Sequence, residues 1–142
     1  MEEKVQVTFD KIEDSSLKVS FYVNNINKKI PAEFFLDIPS QSKSDYEILL
    51  SKGKEIVEIL FYENKISFII EEAAAEITES AYEGERREEE YLNLKNDLSL
   101  NEIHFFEEDL IITLISPQIF PKNTINVQIN YSFNIEDLTI DM

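Results

Sequence analysis

Ser44–Tyr82, SDYEILLSKGKEIVEILFYENKISFIIEEAAAEITESAY, decides the fold, because it holds two long apolar stripes on which the flanking segments can pack. Ser44-Asp45-Tyr46-Glu47 is a capping box. The Ser44 hydroxyl accepts from the amide of Glu47, and the Glu47 carboxylate reaches back to the amide of Ser44. Tyr46, Leu49, Leu50, Ile56, Val57 and Leu60 then recur at helical spacing with Gly53 on the same face. Ser51, Lys52, Lys54, Glu55 and Glu58 fall mostly on the other side. Gly53 costs about 1 kcal/mol relative to Ala in a helix interior. It also fits the turn of a hairpin with strands Tyr46–Ser51 and Glu55–Tyr62. Cap and stripe agree with each other, so residues 46–62 are expected to be a helix, with the hairpin as its alternative.

Asn64 restarts the pattern as a second cap. Ile66, Ile69, Ile70, Ala73, Ala74, Ile77 and Ala81 form a stripe opposed by Glu72, Glu76, Glu79 and Glu83. Ile66–Ile70 alone also reads as a strand, but the Ala and Glu that follow are strong helix formers without a β-branched run.

Working outward, Lys4–Phe9 and Leu17–Val23 each alternate apolar and polar residues, as half-buried strands do. Lys29–Asp37 predicts a third strand that Pro31 places at an edge or a bulge. Glu85–Leu94 predicts a short charged helix whose apolar residues are Tyr91, Leu92 and Leu94. Ile103–Phe106 and Leu110–Ile115 predict a hairpin around Glu107-Glu108-Asp109. Ser116–Asn123, with Pro117 and Pro121, is expected to be loop. Ile125, Val127, Ile129, Tyr131, Phe133 and Ile135 alternate with polar residues, as one long strand or a hairpin bending near Asn130–Asn134. Strands, then helices, then strands imply one α+β domain over residues 1–142: an antiparallel sheet of six or seven strands, with two main helices and one short helix packed on one face.

The totals narrow the function. The chain of 142 residues is 43% apolar, with ten Phe and six Tyr, enough to bury a core and far from a disordered composition. No cysteine is present, which removes disulfides, thiolate metal sites and a cysteine nucleophile. No stretch approaches the roughly 18 uninterrupted apolar residues of a membrane span. Met1-Glu2-Glu3-Lys4 lacks a signal core, so a cytoplasmic location is expected. The net charge of −16 disfavours nucleic acid and anionic membrane as partners, since phosphate contact needs clustered Lys and Arg. It favours a basic partner through long-range steering.

Leu98-Ser99-Leu100-Asn101-Glu102-Ile103-His104-Phe105, running into a strand pair, and the later Thr124-Ile125-Asn126-Val127-Gln128-Ile129 carry a resemblance. With the order of elements, they resemble uncharacterised bacterial α+β domain families that include suspected toxin-immunity proteins. The resemblance implies α+β architecture and a bacterial accessory role, and supplies no chemistry. Those families often place a Gly-His pair just before the penultimate strand. Lys122-Asn123 stands there in this chain, so no role of that histidine carries over.

Catalytic constellations are sparse. The single histidine, His104, lies in a strand-like run, where a structural or exposed role is the ordinary one. One His and no Cys make no zinc set, so no metal and no cofactor are expected. The two glycines, Gly53 and Gly84, stand too far apart for a dinucleotide fingerprint, a P-loop or a nucleophile elbow. No catalytic residue is therefore assigned. A carboxylate-dependent hydrolase is the third-ranked reading.

From Glu71 to Glu90 there are nine Glu against two Arg. Glu72, Glu76, Glu79 and Glu83 share one helical ridge, which is also what the solvated side of any amphipathic helix looks like. Like charges at i, i+4 oppose each other by a few tenths of a kcal/mol per pair. The expected function is a non-catalytic binding protein, an immunity-type inhibitor of a basic toxin or effector. Glu72, Glu76, Glu79 and Glu83 would make the contact, and Tyr82 would be an anchor inside the charged rim. The runner-up is an oligomerising module, a homodimer pairing through the strand alternation at Ile125–Ile135.

Overall fold

The computed structural model describes residues 4–12, 16–35, 43–81 and 87–141, with the side chains at positions 9, 11, 12 and 43–46 outside that description. Seven strands form one sheet: β1 (Val5–Ile12), β2 (Ser16–Val23), β3 (Lys28–Phe35), β4 (Ser99–Phe105), β5 (Asp109–Ser116), β6 (Phe120–Asn130) and β7 (Ile135–Asp141). They lie side by side in chain order. Every pairing is antiparallel except β3 with β4, where Ala32, Glu33 and Phe34 run parallel to Ile103, His104 and Phe105. That single parallel pair follows from the helices. α1 (Lys43–Tyr62), α2 (Lys65–Ala81) and α3 (Glu88–Asp97) form the crossover from β3 to β4, and a crossover returns the chain in the same direction. The fold is α+β, with a mixed, mostly antiparallel sheet and the three helices packed on one face.

Residues 46–62 are helical, and the hairpin alternative falls away. Gly53 is the reason α1 sits so close to the sheet. A Cβ at this position would lie 2.4 Å from Cζ of Phe34 and 3.1 Å from Cζ of Phe21. Phe34 stacks on Phe105 at 4.5 Å, and Phe21 meets both rings edge-on, so the glycine admits a helix over an aromatic floor. The capping box falls on side chains outside the described residues, although α1 begins at Lys43, one residue before the expected cap. Asn64 has a left-handed φ of 59°, the geometry that ends a helix and not that of an N-cap; α2 starts at the next residue.

The far end of α1 is fastened to the β2–β3 turn. Asn25 Nδ2 donates to the carbonyl of Phe61 at 3.0 Å, and its amide donates to the Tyr62 hydroxyl at 3.0 Å. That hydroxyl donates in turn to the carbonyl of Lys4 at 3.1 Å. Midway along α1, Lys52 Nζ lies 4.4 Å from the centre of the ring of Tyr131, which is in the β6–β7 turn. The sheet residues under the helices are the expected inward sets: Leu17, Val19, Phe21 and Val23 of β2, and Ile125, Val127 and Ile129 of β6.

Two proline readings resolve differently. Pro31 sits inside β3, tolerated because the β4 pairing begins only at Ala32. Ser116–Asn123 is not a loop throughout. The turn is confined to Pro117–Ile119, and Phe120–Asn123 already belongs to β6. The β5–β6 register jumps from Ile115 opposite Thr124 to Ser116 opposite Phe120, so Pro121 falls where no ladder donor is needed. The terminal alternation is a hairpin. Asn130 Oδ1 accepts from the amides of Ser132 (2.9 Å) and Asn134 (3.1 Å), and Phe133 turns the chain at φ 66°.

Candidate functional site

α2 forms because Ala73, Ala74 and Ala75 follow its apolar stripe, and it buries Ile66, Ile69, Ala73, Ala74, Ile77 and Thr78. Its opposite side places Glu72, Glu76 and Glu79 in solvent, as the spacing predicted. Tyr82 and Glu83 lie outside the described residues, so the ridge stands here as three carboxylates. Among the described residues no cation pairs with any of the three; Lys95 of α3 reaches Glu71 instead, at 3.8 Å. Phe68 lies four residues before Glu72 on the same side of the helix and is 53% exposed. The exposed phenyl ring in line with three glutamates is not legible in the sequence, because Phe68 stands among Ile66, Ile69 and Ile70, which are core-type residues.

Beside the end of α2 is a second feature. A cleft of about 290 Å³ opens between α2, α3 and the β5–β6 turn, lined among others by Ile77, Ala81, Leu94, Ile119 and Phe120. Among the described residues Glu90 is the one charged side chain in its wall. A more polar hollow adjoins it, sharing Asn93 and Ile119. The turn that supplies Ile119 is held by Asp97. One carboxylate oxygen, Oδ2, accepts from Ser116 Oγ (2.5 Å), the Gln118 amide (2.9 Å) and the Ile119 amide (3.0 Å). The Ser116 hydroxyl is the largest cause, with the two amides helping, and together they outweigh desolvation and hold Asp97 below its ordinary value. A carboxylate at a helix C-terminus opposes the helix dipole, so three donors are the local compensation.

The face of the sheet away from the helices carries His104. Its Nε2 is 3.5 Å from Glu102 Oε1, and Phe35 meets the imidazole edge-on at 5.5 Å. Phe35 also stacks on Phe106 at 4.9 Å. Nearby, Gln128 Nε2 donates to Asp109 at 2.6 Å, and the Tyr131 hydroxyl donates to the Phe106 carbonyl. Burial first, and the Asp109 charge second, push the Tyr131 phenol up to about 12. Among the described residues no group of three or more His, Asp and Glu side chains is placed to hold a metal ion. No helix among them is long and apolar enough to cross a membrane.

The alternation Ile125–Ile135 offered for pairing with a second copy lies mostly in β6, away from an edge, and only Ile135 belongs to the edge strand β7. Ile125, Val127 and Ile129 point into the core, and β6 is paired on both sides; the sheet ends at β1 and β7. β7 carries exposed Glu136, Asp137 and Asp141, charges of the kind that discourage edge pairing. No protein-family model, no curated protein and no solved structure matches the chain.

Proposed function

We propose that this protein is a non-catalytic acidic binding protein whose α2 ridge docks a partner with a basic surface. One observation carries the reading: Glu72, Glu76 and Glu79 are exposed on one helix side, without a cation partner among the described residues, in line with a 53% exposed phenyl ring at Phe68. Repulsion along the ridge costs stability that a solvated surface does not require, and a cationic partner would convert it into attraction. Aromatic rings are enriched in the dry centre of interfaces, with polar and charged groups at the rim.

The specific form is an immunity-type inhibitor acting in the cytoplasm, which masks the basic groove of a toxin or effector. The resemblance of Leu98–Phe105 and Thr124–Ile129 to families with suspected immunity members supports that form. The test is co-purification from the source cells with the tagged protein, the reversed ridge (Glu72→Lys, Glu76→Lys, Glu79→Lys) and Phe68→Ser run in parallel. A basic protein recovered with the native chain and lost from both variants, with circular dichroism unchanged, is the expected result. Retention by the reversed ridge would refute the assignment.

A further inference from the structure

The cleft beside the ridge has a chemistry of its own. Among the described residues its walls are mainly aliphatic and aromatic, from Ile77, Leu94, Ile119 and Phe120, with Thr78 and Asn93 as polar members and the carboxylate of Glu90 as the single ionic group. Glu88 and Glu89 precede Glu90 in the first turn of α3, after Arg87 at its N-cap. The Thr78 hydroxyl in the wall already donates to the Ala74 carbonyl at 2.7 Å, which leaves it no proton to offer an anion. The outer wall is fixed in advance, because Asp97 holds both amides of the turn that presents Ile119. A cavity of about 290 Å³ takes a chain of a few carbons. It lies at the small end of the ligand-site range, roughly 300–1,000 Å³.

We infer that this cleft receives an aliphatic chain ending in a cation, with the carbons against Ile77, Leu94 and Phe120 and the charge at Glu90. Lysine has that shape. Taking the donor to be a lysine of the basic partner rests on the function proposed above; the ligand class does not. An anionic head would meet the Glu90 carboxylate, and a neutral chain would leave that carboxylate beside apolar surface without a charge on the ligand to balance it. Charge complementarity therefore selects the ammonium.

The probe is a series of alkylammonium ions, from n-butyl to n-hexyl, titrated into the isotope-labelled protein and followed by amide NMR. Hexanoate and hexanol are the counter-probes. Saturable shifts at Ala81, Asn93, Leu94 and Ile119 are expected, with affinity rising about fourfold per added methylene. Hexanol should bind several-fold more weakly and hexanoate not at all. Glu90→Gln should bring hexylammonium down to the level of hexanol, and Ile119→Ser should weaken every chain. Shifts that never saturate and ignore chain length would reduce the effect to counter-ion binding and overturn the inference. Equal binding of hexanol would overturn it as well. No partner is in the tube, so the chain-length dependence should persist in the reversed-ridge protein, and failure of either idea is visible without the other.

Discussion

Replacing Gly53 by Ala pits two effects of known size against each other. Ala is the better helix former by about 1 kcal/mol, so on propensity alone the substitution stabilises α1. The new methyl would start 2.4 Å from Cζ of Phe34, whereas carbon atoms rest at about 3.5–4.0 Å. One neighbour must therefore retreat by about 1 Å or more. Phe34 has little room to do so, being 4% exposed and stacked on Phe105 at 4.5 Å. Overpacking a core of this kind costs roughly 1–3 kcal/mol, and the tight backing places this case in the upper half. Subtracting the propensity gain leaves Gly53→Ala destabilising by about 1–2 kcal/mol. That corresponds to a fall in Tm of several degrees, on the order of 3–8 °C, for a domain of this length.

The decisive measurement is a double-mutant cycle with Phe34→Leu, because leucine ends short of the ring tip. In that background the methyl fits, and Gly53→Ala should become stabilising by up to about 1 kcal/mol. The sign reversal corresponds to a coupling of about 2–3 kcal/mol, at the upper end for residues in contact. Urea unfolding followed by far-ultraviolet circular dichroism and tyrosine emission gives all four values, and the chain has no Trp to complicate the emission. A Gly53→Ala protein more stable than the native one, or an additive cycle, would refute the close-approach reading.

Asp97 should make stability depend on acid. Its folded value lies below the ordinary 3.8, so its contribution is complete above that value and is lost as pH falls through the lower, folded one. Asp97→Ala should lower Tm at pH 7, flatten the profile in that acid window and broaden the NMR resonances of Gln118 and Ile119. Tyr131 acts at the other end of the scale. With its phenol pushed up to about 12, the unfolded chain ionises first, so stability should fall as pH rises from about 10 towards 12. Tyr131→Phe should remove that slope and cost about 0.5–1.5 kcal/mol through the lost bond to the Phe106 carbonyl, as measured by urea unfolding at pH 7 and pH 11. Phe68→Ser should leave unfolding within about 0.5 kcal/mol of native, since a surface position away from special features rarely matters more. A larger loss would mean that the ring is packed and not presented.

What could be read in the chain followed from local period. The stripes of α1 and α2 and the alternation in β2 and β6 each repeat over enough residues to outweigh single exceptions such as Gly53. The fold class and the exposure of Glu72, Glu76 and Glu79 came with them. Pro121 misled because a proline is judged by the ladder it interrupts, and that ladder is skipped by a bulge visible only once β5 is in place. The parallel meeting of Ala32–Phe34 with Ile103–Phe105 depends on where three helices return the chain. Nothing in either strand's own residues states it. The cleft was beyond reach for the same reason. Ile77, Leu94 and Phe120 each read as ordinary core residues, and they share a cavity because of how α2, α3 and the β5–β6 turn converge.

That convergence bears on why the acid is placed as it is. A sheet that ends at β1 and β7 leaves two edges where another strand could pair, which a high negative charge opposes, while carboxylates on the helix layer would attract cations from a distance. Field alone does not discriminate among basic surfaces, since steering acts on charge and not on shape. Shape has to come from something short-ranged and dry. Along the ridge, the Phe68 ring at one end and the Asp97-braced cleft beside the other offer it. If the carboxylates set the rate of encounter and these apolar features set the lifetime, ridge reversal should chiefly slow association. Loss of Phe68 or of Ile119 should chiefly speed dissociation. Surface plasmon resonance at two salt concentrations separates the two effects, and equal changes in both rates for both kinds of variant would defeat that division.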